Sequence, residues 1–491
     1  MPIKLFLFEK PTKSSRARTL LTLPHLCIAV SFLFSATALG QTFSVLKHFG
    51  ESAGDGENPT TELVYADGVL YGTTEYGGNG SGTVFRMNAD GSNYQVLKRF
   101  DAIAANPTYY WTNSEGAYPE GGLVVTNGFI YGTTSDGGAT GSGTIFKLST
   151  NGGSFQLLKT FLDLPDGERP LGGLTLSGNT LFGTTTYGGS NDDGTVFTLN
   201  TDGSNFKIIR HFTDSIPNPK DHLVIAGTNL FGITSGEYGS ACFFRLNTNG
   251  TGLISLHSIF EEAGAPAVSN TNLYCTHSIA STNGAAEGMI FSMDMNGNPL
   301  AVIRSFASLV FDPTIGKSTN SDGGYPQGGL VLSGSKLFGD TQEGGTFGYG
   351  TIFSVNTDGT GFTVLRHFGL ASQSGSIQTN ADGLLPMARL VVAGNAVYGT
   401  ASQGGIHGQG TVFKIDLAPA PSLQYPVFSG SQFNFEWPAI IGGKYKIQIK
   451  TNLSQTDWVD FGPVITASNS LMKSQCPVSS DQGFFRMIYQ P

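Results

Sequence analysis

Charge is scarce in this chain of 491 residues, where Asp, Glu, Lys and Arg together make up 13%. That composition does not fit a helical enzyme. Cysteine is scarcer still: beyond Cys27 there are only Cys242, Cys275 and Cys476, too few and too scattered for a disulfide framework. One pair is permitted and none is required. A basic excess is missing too, since the net charge is −9. An acidic surface repels phosphate, which excludes nucleic acid and anionic membrane surfaces as expected partners. No stretch after residue 40 is apolar enough to cross a bilayer. Glycine, in contrast, is abundant at 68 residues, and aromatics reach 11%, a balance that suits many short strands joined by tight turns.

Residues 1–40 read as an export signal, with Lys4, Lys10, Lys13, Arg16 and Arg18 ahead of a mostly apolar run from Leu20 to Leu39. Cleavage is expected after Gly40. The competing reading, an uncleaved anchor, is opposed by Pro24 and His25, which interrupt the apolar run. The chain is therefore expected to be secreted, at the cell surface or extracellular.

One phrase recurs seven times. It runs Leu70-Tyr71-Gly72-Thr73-Thr74 with Gly82-Thr83-Val84-Phe85, then Ile130-Tyr131-Gly132-Thr133-Thr134 with Gly143-Thr144-Ile145-Phe146, and continues to Val397-Tyr398-Gly399-Thr400 with Gly410-Thr411-Val412-Phe413. Copies four and five, around Gly232 and Cys275, are degraded. From Gly72 to Gly399 the mean interval is about 54 residues, the length of a four-stranded blade. Six copies end on a strand such as Val96-Leu97-Lys98-Arg99-Phe100, whereas the seventh stops at Ile415-Asp416. The missing strand is Val45-Leu46-Lys47-His48-Phe49, at the opposite end of the array. That permutation predicts an all-β, seven-bladed propeller over residues 41–417, closed by the N-terminal strand so that no sheet edge is left open. A monomer is expected.

The repeated Leu-Tyr-Gly-Thr-Thr and Gly-Thr-Val-Phe unit with its Val-Leu-x-x-Phe strand resembles the GloVer tandem repeat of exported proteins from Verrucomicrobia and other bacteria, often called choice-of-anchor proteins. The resemblance spans roughly residues 43–416 and implies a secreted or surface propeller, with no catalytic residues to carry over. After a Pro/Ala linker at 418–424, residues 425–491 alternate as strands of a small β-sandwich. This part resembles a short fibronectin-like module through Thr451-Asn452-Leu453 and the final Phe484-Phe485-Arg486, with Trp437 and Trp458 expected in its core.

Candidate sites are few. Loops carry an acid and a glycine ahead of a proline at Asp55, Glu115, Asp166, Asp322 and Asp382, which repetition places on one face. They form either a carboxylate ring for polysaccharide hydroxyls or a cation, calcium being the one cofactor in view, or local turns within each blade. Three loops are longer, and the first holds Tyr109-Tyr110-Trp111, an aromatic group that either packs over the blade edge or stacks on sugar rings. His48, His211 and His367 share one repeat position, which favours a strand-surface role over metal. Cys242, His257, Cys275 and His277 lack the paired spacing of a structural zinc site. The favoured function is a non-catalytic propeller that binds extracellular polysaccharide or an envelope component, including a cell-envelope protein. The alternative is a glycoside hydrolase or lyase, for which Glu237, Asp340 and Glu343 are the acids that depart from sister copies and which needs two carboxylates about 5–10 Å apart.

Overall fold

The structure is a computed structural model that describes residues 8–9, 42–105, 111–235, 240–260, 263–278, 287–375, 377–417, 424–429, 432–439, 444–450, 459–469, 471–477 and 482–490. Among these residues there is no helix. Seven four-stranded antiparallel sheets form the propeller. Blade 2 shows the plan: Val124–Thr126, Phe129–Thr134, Thr144–Ser149 and Phe155–Thr160 succeed one another outward from the centre. The first strand of each blade touches that of the next, and Val391–Ala393 of blade 7 touches Val64–Ala66 of blade 1, which closes a ring of seven. Thr42–His48 is the fourth strand of blade 7, as its sequence pattern requires.

The repeated letters are the joints of this ring. In the second strand Gly132 lies under the Phe146 ring, and a Cβ there would stand 2.5 Å from it; the same distance recurs between Gly72 and Phe85. In six of the blades the Phe that ends the fourth strand then packs on the third-strand Phe of the following blade. Ring centroids are 5.5 Å apart for Phe100 and Phe146, 5.2 Å for Phe161 and Phe197, and 5.3 Å for Phe306 and Phe353. Phe49 makes the closing contact with Phe85 at 5.3 Å. Threonines clip the second strand to the third, Thr134 to Thr144 and Thr185 to Thr195, each with hydroxyls 2.8 Å apart.

Because each blade has four antiparallel strands, its two kinds of turn fall on opposite faces. On one face are short hairpins such as Asn127-Gly128, both at positive φ, and side-chain-stabilised turns in which Ser92 N–H donates to Asp90 Oδ1 at 2.9 Å. The other face carries the long and variable loops.

Blade 5 departs from the plan, with Cys275 in place of the second-strand glycine. Cys275 and Cys242 are both free thiols in the core. The C-terminal part forms two further sheets, one of Gln424–Ser429, Gln432–Pro438 and Leu471–Pro477, the other of Lys444–Lys450, Val459–Thr466 and Gln482–Gln490 with Phe8–Glu9 at its edge. Trp437 is fully buried there, 6.2 Å from Tyr445 across the sandwich. The export signal expected over 1–40, apart from Phe8–Glu9, lies outside the described residues, as do Trp458 and residues 418–423 of the linker.

Candidate functional site

All five acid-glycine loops lie on the long-loop face, but their carboxylates turn inward. Asp55, Asp166, Asp322 and Asp382 are buried, at 9% exposure or less. Each acid is held by a basic residue from the fourth strand before it: Lys47 lies 3.0 Å from Asp55, Lys159 2.5 Å from Asp166 and Arg304 2.5 Å from Asp322, while Lys98 pairs with Glu115 and Arg366 with Asp382. Main-chain groups complete the tie, with Gly56 N–H donating to Asp55 at 2.9 Å and Ala307 N–H to Asp322 at 3.1 Å. Burial works against the charge on Asp55, yet the Tyr94 hydroxyl and Lys47 outweigh it and lower its pKa. These residues fasten the loops to the blades, an arrangement that fits the local-turn reading of the repeated acids rather than the ring of ligand-facing carboxylates. The physical reason is that every repeated acid meets an equally repeated base.

The repeated histidines serve the same face. Their Nδ1 atoms accept loop N–H groups, from Ser190 to His211 at 3.2 Å, from Thr346 to His367 at 3.2 Å and from Ile406 to His48 at 3.3 Å. Cys242 Sγ lies 3.0 Å from Ser255 Oγ, and His257 packs edge-on against Phe291. Among the described residues no group of three or more His, Cys, Asp or Glu is placed to hold a metal ion.

Each of the three longer loops folds into a small hairpin: Ala104–Ala105 with Trp111–Thr112, Val310–Asp312 with Lys317–Thr319, and Ser372–Ser374 with Ile377–Thr379. The asparagine of the shared phrase fixes the base of each, as Asn113, Asn320 and Asn380 accept the N–H of Gly116, Gly323 and Gly383 at 2.7, 2.8 and 2.8 Å. Tyr109 and Tyr110 lie outside the described residues. Trp111 is 59% exposed, and with Ile103 and Tyr118 it lines an open recess of about 390 Å³. Tyr118 precedes a proline yet has φ 56°, a left-handed conformation that bulky residues adopt only under constraint. Its N–H donates to Ser81 O and its carbonyl accepts from Ser135, which hold it there. Tyr76, 44% exposed, meets Tyr118 edge-on at 5.6 Å. Its hydroxyl is pushed up to about 12 by hydrogen bonding to Glu75, so it stays a donor.

A second cluster sits at the mouth of the central channel. Blades 2, 3 and 6 enter their first strands on Gly121-Gly122-Leu123, Gly172-Gly173-Leu174 and Gly328-Gly329-Leu330. Blades 1, 4 and 7 carry Glu62, His222 and Arg389 where the second glycine would be, and those side chains converge. His222 Nδ1 is 3.0 Å from Asp221 Oδ1, and its Nε2 is 2.9 Å from Arg389 Nη1. Glu62 stands 3.9 Å from both His222 and Arg389. Arg389 Nε donates to Leu330 O at 3.0 Å, and Asp221 Oδ2 accepts Ala265 N–H at 2.6 Å. Burial opposes charge on Asp221, but the adjoining imidazole and these N–H groups outweigh it and hold its pKa at about 2. Burial likewise opposes charge on His222, yet Glu62 and Asp221 outweigh it and raise its pKa. Since guanidinium can only donate, the 2.9 Å contact with Arg389 is a hydrogen bond only for the neutral Nδ1–H tautomer, whereas the acids that raise the pKa of His222 favour its protonated form. The sequence signal was available, a Gly-Gly pair lost in four copies and replaced by a long polar residue in three of them, but convergence from positions 62, 222 and 389 is not local.

Of the acids named for hydrolysis, Glu237 lies outside the described residues. Asp340 is 2% exposed, and its Oδ1 accepts Gly328 N–H at 3.2 Å; its Oδ2 has no partner among the described residues. Burial pushes its carboxyl well above the usual range. Glu343 lies in the next turn, where its main chain pairs with Gly324.

The fold and its loop-bearing face define a class: a closed β-propeller whose repeated residues build the ring and whose departures gather at the channel mouth. Within that class the chain belongs to the Gloeobacter/Verrucomicrobia repeat family, whose model matches residues 31–177, 118–316 and 264–432. No curated protein matches the sequence. Similar solved structures include a puromycin-hydrolyzing peptidase of Mycobacterium tuberculosis, 11% identical over 77% of this chain and 57% of that one, with a TM-score of 0.46. They also include TolB from Acinetobacter baumannii, 14% identical over 57% and 58% with a TM-score of 0.34, and a putative 6-phosphogluconolactonase from Bacteroides uniformis, 14% identical over 83% and 98% with a TM-score of 0.40. The chain spans less than two thirds of the peptidase and TolB structures.

Proposed function

We propose that this protein is a non-catalytic binding propeller, acting outside the cell or at its surface, whose long-loop face holds extracellular polysaccharide. The observation that carries this reading is Trp111, 59% exposed on a hairpin pinned by Asn113 and facing the Tyr118 recess. Among the described residues, an indole left 59% exposed on a support fixed by Asn113 is little used in packing. Its apolar face suits the C–H face of a sugar ring, while the hydroxyls of Tyr76 and Tyr118 supply polar contacts at the edge. The ion-paired loop acids take no part in binding, and calcium is not needed.

The test is depletion of the purified protein by insoluble polysaccharides (cellulose, chitin, xylan, pectin and alginate), with and without calcium. Selective retention is expected on at least one, with Trp111→Ala weakening it about tenfold, equivalent to about 1.4 kcal/mol. Retention on none, or retention unchanged by Trp111→Ala, sinks the reading.

A further inference from the structure

We infer that the mouth of the central channel is a separate subsite that takes the hydroxyl-bearing edge of one neutral sugar residue, gripped by Glu62 and Arg389; this rests on the polysaccharide reading and extends it to the end of a glycan chain. Three facts support it. First, the second glycine of the pair is kept in blades 2, 3 and 6, is Ala265 in blade 5, and gives way to a long polar side chain in blades 1, 4 and 7 only, where the three replacements meet at one place. A structural role alone would not need this, because blades 2, 3 and 6 are built with glycine there.

Second, the cluster has open valences of both kinds. At 3.9 Å from its neighbours Glu62 accepts no hydrogen bond among the described residues. Arg389 uses Nε on Leu330 O and Nη1 on His222, and Nη2 is left without a partner among them. Gln327 and Glu120 line the same cavity. Burial, reinforced by Glu75, pushes the Glu120 carboxyl up to about 7, so near neutral pH it can donate as well as accept. A carboxylate that accepts two O–H groups beside a guanidinium that donates to oxygen matches a pair of adjacent hydroxyls. An anion would meet Glu62 and Asp221, and a cation would meet Arg389. A neutral polyhydroxy group meets neither penalty.

Third, the cavity measures about 100 Å³, room for part of one sugar ring and not for a threaded chain. Gly122 keeps it open, since a Cβ there would stand 2.7 Å from Glu62 Oε1. Glu120 is two residues from Tyr118, which places this mouth beside the recess that holds Trp111.

The experiment is saturation-transfer NMR on the purified protein with free glucose, galactose, mannose, xylose and N-acetylglucosamine, each at millimolar concentration. At least one should bind, with Glu62→Gln and Arg389→Gln each weakening it tenfold or more and Trp111→Ala changing it less than twofold. Should Arg389→Gln fail to fold, Glu62→Gln, which keeps the side-chain shape, carries the test alone. Transfer to none of the sugars overturns the inference, and so does transfer untouched by Glu62→Gln. The two readings fail separately: polysaccharide retention that needs Trp111 while free sugars do not bind leaves only the recess, and sugar binding that needs Glu62 without retention on any polysaccharide leaves only the mouth.

Discussion

Blades 2, 3 and 6 differ from blades 1, 4 and 7 where they enter their first strands, with a Gly-Gly pair in the first set and Thr61-Glu62, Asp221-His222 or Ala388-Arg389 in the second. The two sets depend on each other. A Cβ on Gly122 would stand 2.7 Å from Glu62 Oε1, so the glycine of blade 2 makes room for the charged side chain of blade 1. Positions that every copy keeps hold the ring together, whereas positions that some copies change are free to meet something else. Such a division can be broken from either side.

The largest effect is expected at a kept position. Phe161 is fully buried and 5.2 Å from Phe197 of the next blade, so Phe161→Ala should cost about 3–5 kcal/mol of stability. Thermal unfolding followed by circular dichroism would read this as a clear fall in Tm. Glu62→Gln, at a changed position, should move Tm far less. Equal losses in the two variants would erase the distinction between ring and site.

Asp340 sharpens the comparison, because it is a changed residue in a place where sister blades keep threonine, as at Thr73, Thr133, Thr184 and Thr400. Its folded pKa is raised, so its cost is absent below the unfolded value of 3.8 and grows as pH rises through and above it. Asp340→Thr should therefore stabilise the protein at pH 7 and change almost nothing at pH 3, read as a rise in Tm at the higher pH only. A neutral or destabilising result at pH 7 would mean that the carboxyl has a partner beyond those described, and would return Asp340 to the candidate site.

How much of this could be read from sequence follows the same division. The ring was legible down to its closing strand, because Val45 to Phe49 repeats the ending that the seventh copy lacks. The roles of Asp55, Asp166 and their sisters were only half legible. The acids stood out, but the bases two residues before the strand-ending Phe, at Lys47, Lys98, Lys159, Arg304 and Arg366, repeat as faithfully and reveal the pairing only when blades are set side by side. Trp111 was visible as the lone propeller tryptophan, whereas Tyr118 was hidden, since its left-handed backbone depends on bonds to Ser81 and Ser135. The channel mouth was least legible, because Glu62, His222 and Arg389 are brought together only by closure of the ring.

The smallest expected effect concerns a position that copies share only in part, His48, His211 and His367 beside Thr160 in blade 2. Burial lowers the pKa of His48 and of His367, where it is helped by Arg366, and each Nδ1 must stay unprotonated to accept its loop N–H. A depressed pKa contributes stability that is full above the unfolded value of 6.5 and is lost as pH falls through the lowered folded value. Asp55, also depressed, contributes in a separate window, full above 3.8 and lost below it. Tm should thus decline in a shallow first step below pH 6.5 and more steeply below pH 4. Replacing His367 by the residue that blade 2 uses, His367→Thr, should shrink the first step and leave the second. A first step of undiminished size would show that these imidazoles do not set the acid sensitivity of the long-loop face, and would turn attention to His222, whose raised pKa predicts the opposite slope.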